Sequence, residues 1–289
     1  MARHGKPPAS PVSRIISAFF AVVLVAGLGL IAYPTVADWW NQLHQSRAVA
    51  SYIKQTQNLS KADKEAMLRQ ARVYNQALTD KQDRWHLSSS ETKEYNNTLN
   101  IGDGVMGYVT IPKIKVRLPI YHGTDDDVLQ IAVGHLPGSS LPVGGETTHA
   151  VVSGHTGLPS ARLLTGLDEL KTGDTFAFHV LDDTYTYQVD DINVVLPDDL
   201  SHLNFENGKD YVTLITCTPY GVNTHRLLVR GHRIPNPAND DTRYATPETL
   251  IVLAVLVVLA GAAISAVVIW QRRRDAGAEA LVARHAESV

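Results

Sequence analysis

The sequence carries one cysteine, Cys217, in 289 residues. A single thiol excludes an intrachain disulfide framework, and with no Cys-x-x-Cys pair there is no cysteine-type zinc site. There is no cationic excess: 26 Lys and Arg stand against 29 Asp and Glu, a formal charge of -3, which argues against a nucleic-acid binder. Glycine (20) and proline (14) are at ordinary levels, so collagen-like and low-complexity classes are excluded. No internal repeat is present. The length suits one or two domains with a sizeable core.

The mean hydropathy of -0.08 reads as that of a soluble protein, but the average hides two apolar runs. Ile15 to Tyr33 and Leu250 to Trp270 contain no charged residue. Each is close to the roughly 20 residues that span a bilayer core, and neither shows the polar face of a soluble core helix. The first run has a second reading. Arg3, Lys6 and Arg14 form a basic n-region, and Thr35-Val36-Ala37 resembles a signal-peptidase site. Its length favours an uncleaved anchor. Arg272, Arg273 and Arg274 follow the second run, so the positive-inside rule puts both termini in the cytoplasm and the intervening domain outside. The expected organisation is a cytoplasmic tail (1–14), a transmembrane helix or signal anchor (15–34) and an extracellular helical arm with a loop (35–103). A β domain (104–236), a linker (237–248), a second transmembrane helix (249–270) and a basic cytoplasmic tail (271–289) complete it.

Asp38 to Leu78 reads as helix, with a second segment starting at Ser60. Thr79 to Asn100 is polar and aperiodic and reads as a loop, Trp85 being the exception within it. From Gly107 the texture is of short β-type runs: Tyr108 to Ile111, Val116 to Tyr121, Ala150 to Val152, two or three strands over Thr175 to Leu196, then Tyr211 to Thr216 and Leu227 to Ile234. Short helices are expected over Asp125 to Ala132 and Ala161 to Leu170. Seven or eight such strands suggest a closed barrel or a sandwich.

Cys217 ends the run Val212-Thr213-Leu214-Ile215-Thr216, where a strand terminus can hold a thiol rigidly at a groove. A lone cysteine is more often a buried structural residue. Its neighbourhood alters that balance. Arg226 opens the next strand, and two adjacent antiparallel strands joined by Thr218 to His225 would set Cys217 and Arg226 side by side. A guanidinium there could stabilise developing oxyanion charge. An ordinary surface ion pair is the other reading of that arginine. His155 lies in Val151-Val152-Ser153-Gly154-His155-Thr156-Gly157 and ends an apolar strand as Cys217 does. Residue type alone does not separate it from His122, His135, His149, His225 or His232.

Thr213-Leu214-Ile215-Thr216-Cys217 matches the TLxTC signature of sortases, membrane-anchored transpeptidases of Gram-positive surfaces. The resemblance runs from about Tyr74 to Ile234. It includes Gly104-Val105-Met106-Gly107-Tyr108, Ile111-Pro112-Lys113-Ile114, Ser153-Gly154-His155 and the stretch from Gly134-His135-Leu136-Pro137-Gly138 to Ser139-Ser140-Leu141-Pro142. That stretch and the two apolar runs look most like class C, the pilin-polymerising sortases. The resemblance implies a mainly β fold, a sortase-like closed barrel of about eight strands with short helices, a helical arm and two transmembrane helices. It also implies a catalytic trio of His155, Cys217 and Arg226. Cys217 would attack the Thr-Gly bond of an LPxTG-like sorting signal on a pilin or surface protein, and a pilin lysine amine would resolve the thioacyl enzyme. A sortase using a peptidoglycan amine, and a non-catalytic surface scaffold, are the alternatives. No cofactor or metal is implied.

Class C sortases resemble one another in a lid bearing Asp-Pro-aromatic, and this chain has no Asp-Pro pair. Asp83-Arg84-Trp85 reads as a degenerate lid in which Asp83 pairs with Arg226 and Trp85 caps Cys217; a mobile loop with Trp85 packed on the barrel is the alternative. Leu200, Leu203 and Phe205, between Pro197 and Asp210, are expected to wall the sorting-peptide site. Asp125-Asp126-Asp127 reads as an acidic helix start rather than a cation site.

Overall fold

A computed structural model describes residues 11–237 and Gly261. The expected second transmembrane helix (249–270) and basic tail (271–289) lie outside the described residues but for that glycine. The chain divides into two units, one holding residues 1–33 and 245–289, the other 34–244.

The apolar run lacks any strand-like alternation and forms a helix, α1 (Pro11–Asn58). Phe19, Phe20, Leu24, Leu30 and Ile31 are exposed on it, and it is long and apolar enough to cross a membrane. The helix runs from the apolar run into the arm without interruption, through Pro34. One proline removes one backbone hydrogen bond, and a long helix on either side tolerates the loss. In the arm Gln45, Val49, Tyr52 and Thr56 are buried. Their spacing of three or four puts them on one helix face. The Tyr52 hydroxyl donates to Met106 O at 3.0 Å and accepts from Leu181 N–H at 2.7 Å. Burial pushes that phenol up to about 12.

Ser60 caps α2 (Lys61–Thr79) by accepting from Asp63 N–H. On α2 the buried Asn75 amide donates to Leu141 O at 3.0 Å and accepts from Leu141 N–H at 2.7 Å, fixing the helix to the Gly138–Leu141 stretch. The segment read as one long loop contains a further helix, α3 (Ser89–Asn97). Ser88 and Glu91 form a full capping box at its start, and Tyr95 is its buried residue.

Eight strands follow: β1 (Val105–Ile111), β2 (Val116–His122), β3 (Val133–His135), β4 (Thr148–Ser153), β5 (Thr175–Val180), β6 (Asp183–Val195), β7 (Asp210–Thr218) and β8 (His225–Ile234). They close into a barrel in the order β1-β2-β3-β4-β7-β8-β6-β5. The pairs β2–β3 and β4–β7 are parallel and the rest antiparallel. The expected short helix at Asp125 is a single turn, α4 (Asp126–Leu129). The expected helix over Ala161 to Leu170 is absent; only a 3-10 turn, Leu167–Glu169, forms there.

Strand alternation sorts residues to two sides of the sheet. On β7, Val212 and Leu214 join the main core with Val152, Leu227 and Val229. Ile215 belongs to a separate cluster outside it, with Val151, Val195 and Leu228. The odd-numbered residues of β7 therefore face outward from the barrel, and Cys217 is one of them.

Candidate active site

Strands β7 and β8 pair in a register that makes Cys217 and Arg226 Cα partners. Directly opposed residues of an antiparallel pair carry Cβ atoms roughly 4.5–5.5 Å apart on one face. The thiol is free and half-buried. The Arg226 guanidinium donates through Nη1 to Asn223 O at 3.3 Å and His225 O at 3.2 Å, so the turn before β8 holds it.

His155 reaches the same level by the parallel pairing of β4 with β7. Ser153 is opposite Ile215, Gly154 N–H donates to Ile215 O at 3.0 Å, and Thr216 Oγ1 donates to Gly154 O at 2.8 Å. His155 follows two residues past the end of β4, and the same register extended by two residues brings its backbone to the level of Cys217. A side chain at Gly154 would collide with Leu164 and Val133, so glycine lets the strand end there without losing its packing.

The other candidate histidines are engaged elsewhere. The His149 Nδ1–H donates to Asn204 O at 3.0 Å and Nε2 accepts from Thr213 Oγ1 at 2.7 Å. Burial lowers His149 to about 4, helped by the Arg230 and Arg84 charges and opposed by the Asn204 hydrogen bond. His135 is fully buried, donates from Nε2 to Ser140 O at 2.7 Å, and burial lowers it to about 3. His122 faces Gly104 O and Thr98 O. His225 contacts Thr224 and His232 lies 3.6 Å from Asp190.

The expected lid contact is not formed as read. Asp83 is exposed and its carboxylate accepts from His86 Nδ1 at 2.8 Å, not from Arg226. Both expected partners are satisfied close to home in sequence. The residue that fixes this segment is Arg84. Its buried guanidinium donates to Gly138 O at 3.1 Å and Leu203 O at 2.7 Å. It lies between two rings, 4.1 Å from the Trp85 centroid and 4.2 Å from Phe205. Desolvation lowers it to about 10. Gly138 has φ +86°, and a Cβ on it would overlap the Arg84 carbonyl oxygen.

Trp85 packs on the outer cluster of Val151, Val195, Leu203 and Leu228, together with Leu136, Leu200 and Ile215. Ile215 and Leu228 are Cα partners two residues along from Cys217 and Arg226, about 7 Å away on the same face. Trp85 thus belongs to a cluster whose Ile215–Leu228 pair lies one side-chain pair from the thiol. Leu203 and Phe205, expected as open walls, are already occupied: Leu203 is buried in the cluster and Phe205 packs on the Arg84 guanidinium. Leu200 is partly buried at the edge of the same cluster. The anchoring of Arg84 on Gly138 and Leu203 escaped the sequence reading because an arginine bound to backbone carbonyls leaves no charge partner to find. Among the described residues no group of three or more His, Cys, Asp or Glu side chains converges as a metal site would.

Comparison with known proteins points one way. Residues 109–234 match the family model of the Sortase domain. The chain is similar to the crystal structure of sortase C1 from Streptococcus agalactiae, with 52% identity over 66% of this chain and 100% of that one and a TM-score of 0.65. It is also similar to Clostridium perfringens sortase C, solved with the C-terminal cell wall sorting motif, at 42% identity over 66% and 100% of the two chains and a TM-score of 0.59. Among curated sequences it is 34% identical to sortase D of Bacillus subtilis (strain 168) over 44% of this chain, a match spanning 63% of that relative's length.

Proposed function

The chain belongs to the sortase family, and from that premise we propose that it is a membrane-anchored cysteine transpeptidase of the pilin-polymerising type. The observation that carries the reading is the opposition of Cys217 and Arg226 across β7–β8, with His155 two residues past the end of β4, the strand parallel to β7. In this mechanism the Cys217 thiolate attacks the threonine carbonyl carbon of an LPxTG-like sorting signal. Arg226 stabilises the oxyanion that develops. The Thr-Gly bond breaks, His155 protonates the glycine amine that leaves, and a thioacyl enzyme remains. A pilin lysine amine then attacks the same carbonyl carbon and gives its proton to His155. The Cys217 sulfur departs as thiolate, leaving an isopeptide bond.

The segment around Trp85 acts as a lid in this reading, with Arg84 as its anchor in place of an Asp83–Arg226 pair. Lid and sorting peptide compete for one surface, so Leu200, Leu203 and Phe205 line the peptide site once Trp85 and Arg84 move off. The apolar part of α1 anchors the enzyme, the segment 249–270 crosses the membrane a second time, and both termini are cytoplasmic.

The test is incubation of the detergent-solubilised enzyme with a pilin subunit carrying an LPxTG-like signal. High-molecular-weight ladders that vanish with Cys217→Ala and with loss of one substrate lysine support the reading. Transfer only to a peptidoglycan-type amine makes the enzyme a wall anchor instead. No reaction and no labelling by a Cys-directed sorting-peptide warhead leaves a non-catalytic scaffold.

A further inference from the structure

The loop that follows the proposed catalytic histidine is gripped from outside the barrel. Its base is closed by Leu164 N–H donating to His155 O at 3.1 Å and by Gly157 N–H donating to Thr165 Oγ1 at 3.0 Å. Its tip folds back on itself through a bridge between Leu158 and Ala161. Two side chains of α1 then reach the tip's backbone. Asn41 Nδ2 donates to Ser160 O at 2.7 Å, and Asp38 Oδ1 accepts from Arg162 N–H at 2.7 Å. The second carboxylate oxygen of Asp38 accepts from Gln42 Nε2 at 2.7 Å, which sets its orientation.

These contacts extend one continuous helix face. Gln45, one turn on, donates to Ile131 O at 3.0 Å, and Tyr52 binds the backbone of Met106 and Leu181. The turn of α1 just after Pro34 is thereby bound to the loop that runs from His155 to Leu164. Short hydrogen bonds with a charged partner are among the strongest local restraints available to a loop.

We propose that Asp38 and Asn41 are positioning residues for His155: the α1 turn after Pro34 clamps the loop 155–164 and so sets where the imidazole stands against Cys217. The proposal rests on the sortase reading of His155. A misplacement of about 1 Å in a reacting group can lower turnover by as much as 10²-fold. Neither residue touches substrate in this scheme, so the loss falls on kcat, with KM little changed.

The experiment uses the full chain in detergent, comparing wild type with Asp38→Ala, Asn41→Ala, the double variant and Asp38→Asn. Cleavage of a sorting peptide is normalised to thiols that react with iodoacetamide, and its pH profile is recorded. The expected result is a kcat lower by 10-fold or more in the double variant, a displaced limb of the pH profile, and recovery in Asp38→Asn, whose amide oxygen still accepts from Arg162 N–H. An unchanged kcat and pH profile in the double variant overturns the proposal. So does a loss in Asp38→Ala that Asp38→Asn shares in full. If the double variant does not fold, Asn41→Ala, which removes only the Ser160 contact, decides by the same readouts. A wild type that cleaves no sorting peptide refutes the enzyme reading itself, and iodoacetamide rates at Cys217 then report whether the clamp still alters the thiol's surroundings. Equal rates in wild type and double variant overturn the clamp as well.

Discussion

Arg84 and Gly138 approach each other as only a glycine allows: the Arg84 carbonyl oxygen occupies the space a Cβ on residue 138 would need, and the Arg84 guanidinium donates to Gly138 O. The backbone of residue 138 also sits at φ +86°, where side chains are strained. Gly138→Ala should therefore displace the segment carrying Trp85, at a cost of about 1–3 kcal/mol in stability. Alkylation of Cys217 and peptide turnover should both rise. Unchanged alkylation in a folded variant rejects Trp85 as cover for the thiol.

The anchor can be separated from its acidic neighbour. Asp83 is exposed and among the described residues pairs with His86, and such pairs contribute about 0–1 kcal/mol. Asp83→Ala should leave stability and alkylation nearly as they are. Arg84→Ala removes two charged donors and leaves Gly138 O and Leu203 O without them, which should cost about 2–3 kcal/mol and expose the thiol. Melting curves and labelling rates of the two variants side by side provide the check; the reverse ranking contradicts the role given to Arg84.

The barrel and the Cys217–Arg226 opposition were legible because both arise locally. Alternating strands announce a sheet, and two strands joined by Thr218 to His225 admit few registers. The α3 helix was missed although Ser88 and Glu91 spell a capping box, because its polar, aperiodic surface masked the signal. Leu163, Leu164, Leu167 and Leu170 misled by mimicking helical spacing. All four are buried in the core, yet positive φ at Leu163 and Gly166 breaks the segment into turns. The lid anchor was beyond reach for a different reason. Arg84 binds carbonyls 54 and 119 residues away, and every residue has a carbonyl, so nothing in the sequence marks those two.

Among the described residues Arg226 is held by the carbonyls of Asn223 and His225 rather than by an acid, across the strand pair from Cys217. A lysine keeps the charge but lacks the planar fork. Arg226→Lys should lower kcat about 10²-fold, the usual cost of losing one oxyanion donor, while Cys217 still alkylates. Single-turnover assays with a sorting peptide measure it. A lysine variant with wild-type acylation contradicts an oxyanion role for the guanidinium.

His149 and His135 make stability depend on pH. Burial holds both imidazoles neutral in the folded protein, to about 4 and about 3, whereas in the unfolded chain they titrate near 6.5. Between those values the unfolded state binds more protons, so stability falls as pH drops below about 6.5 and is fully present above it. Each group contributes on the order of 3–5 kcal/mol across its full window. His149 also ties Asn204, in the stretch that bears Leu203 and Phe205, to Thr213 of β7, so its protonation should loosen that stretch first. Urea unfolding at pH 7.5 and pH 5.0 should show a clear loss at the lower pH, and His149→Gln should show a smaller loss between the same two conditions. An equal loss in the variant removes His149 from the account. The comparison isolates the imidazole, because the carboxylates titrate alike in both proteins.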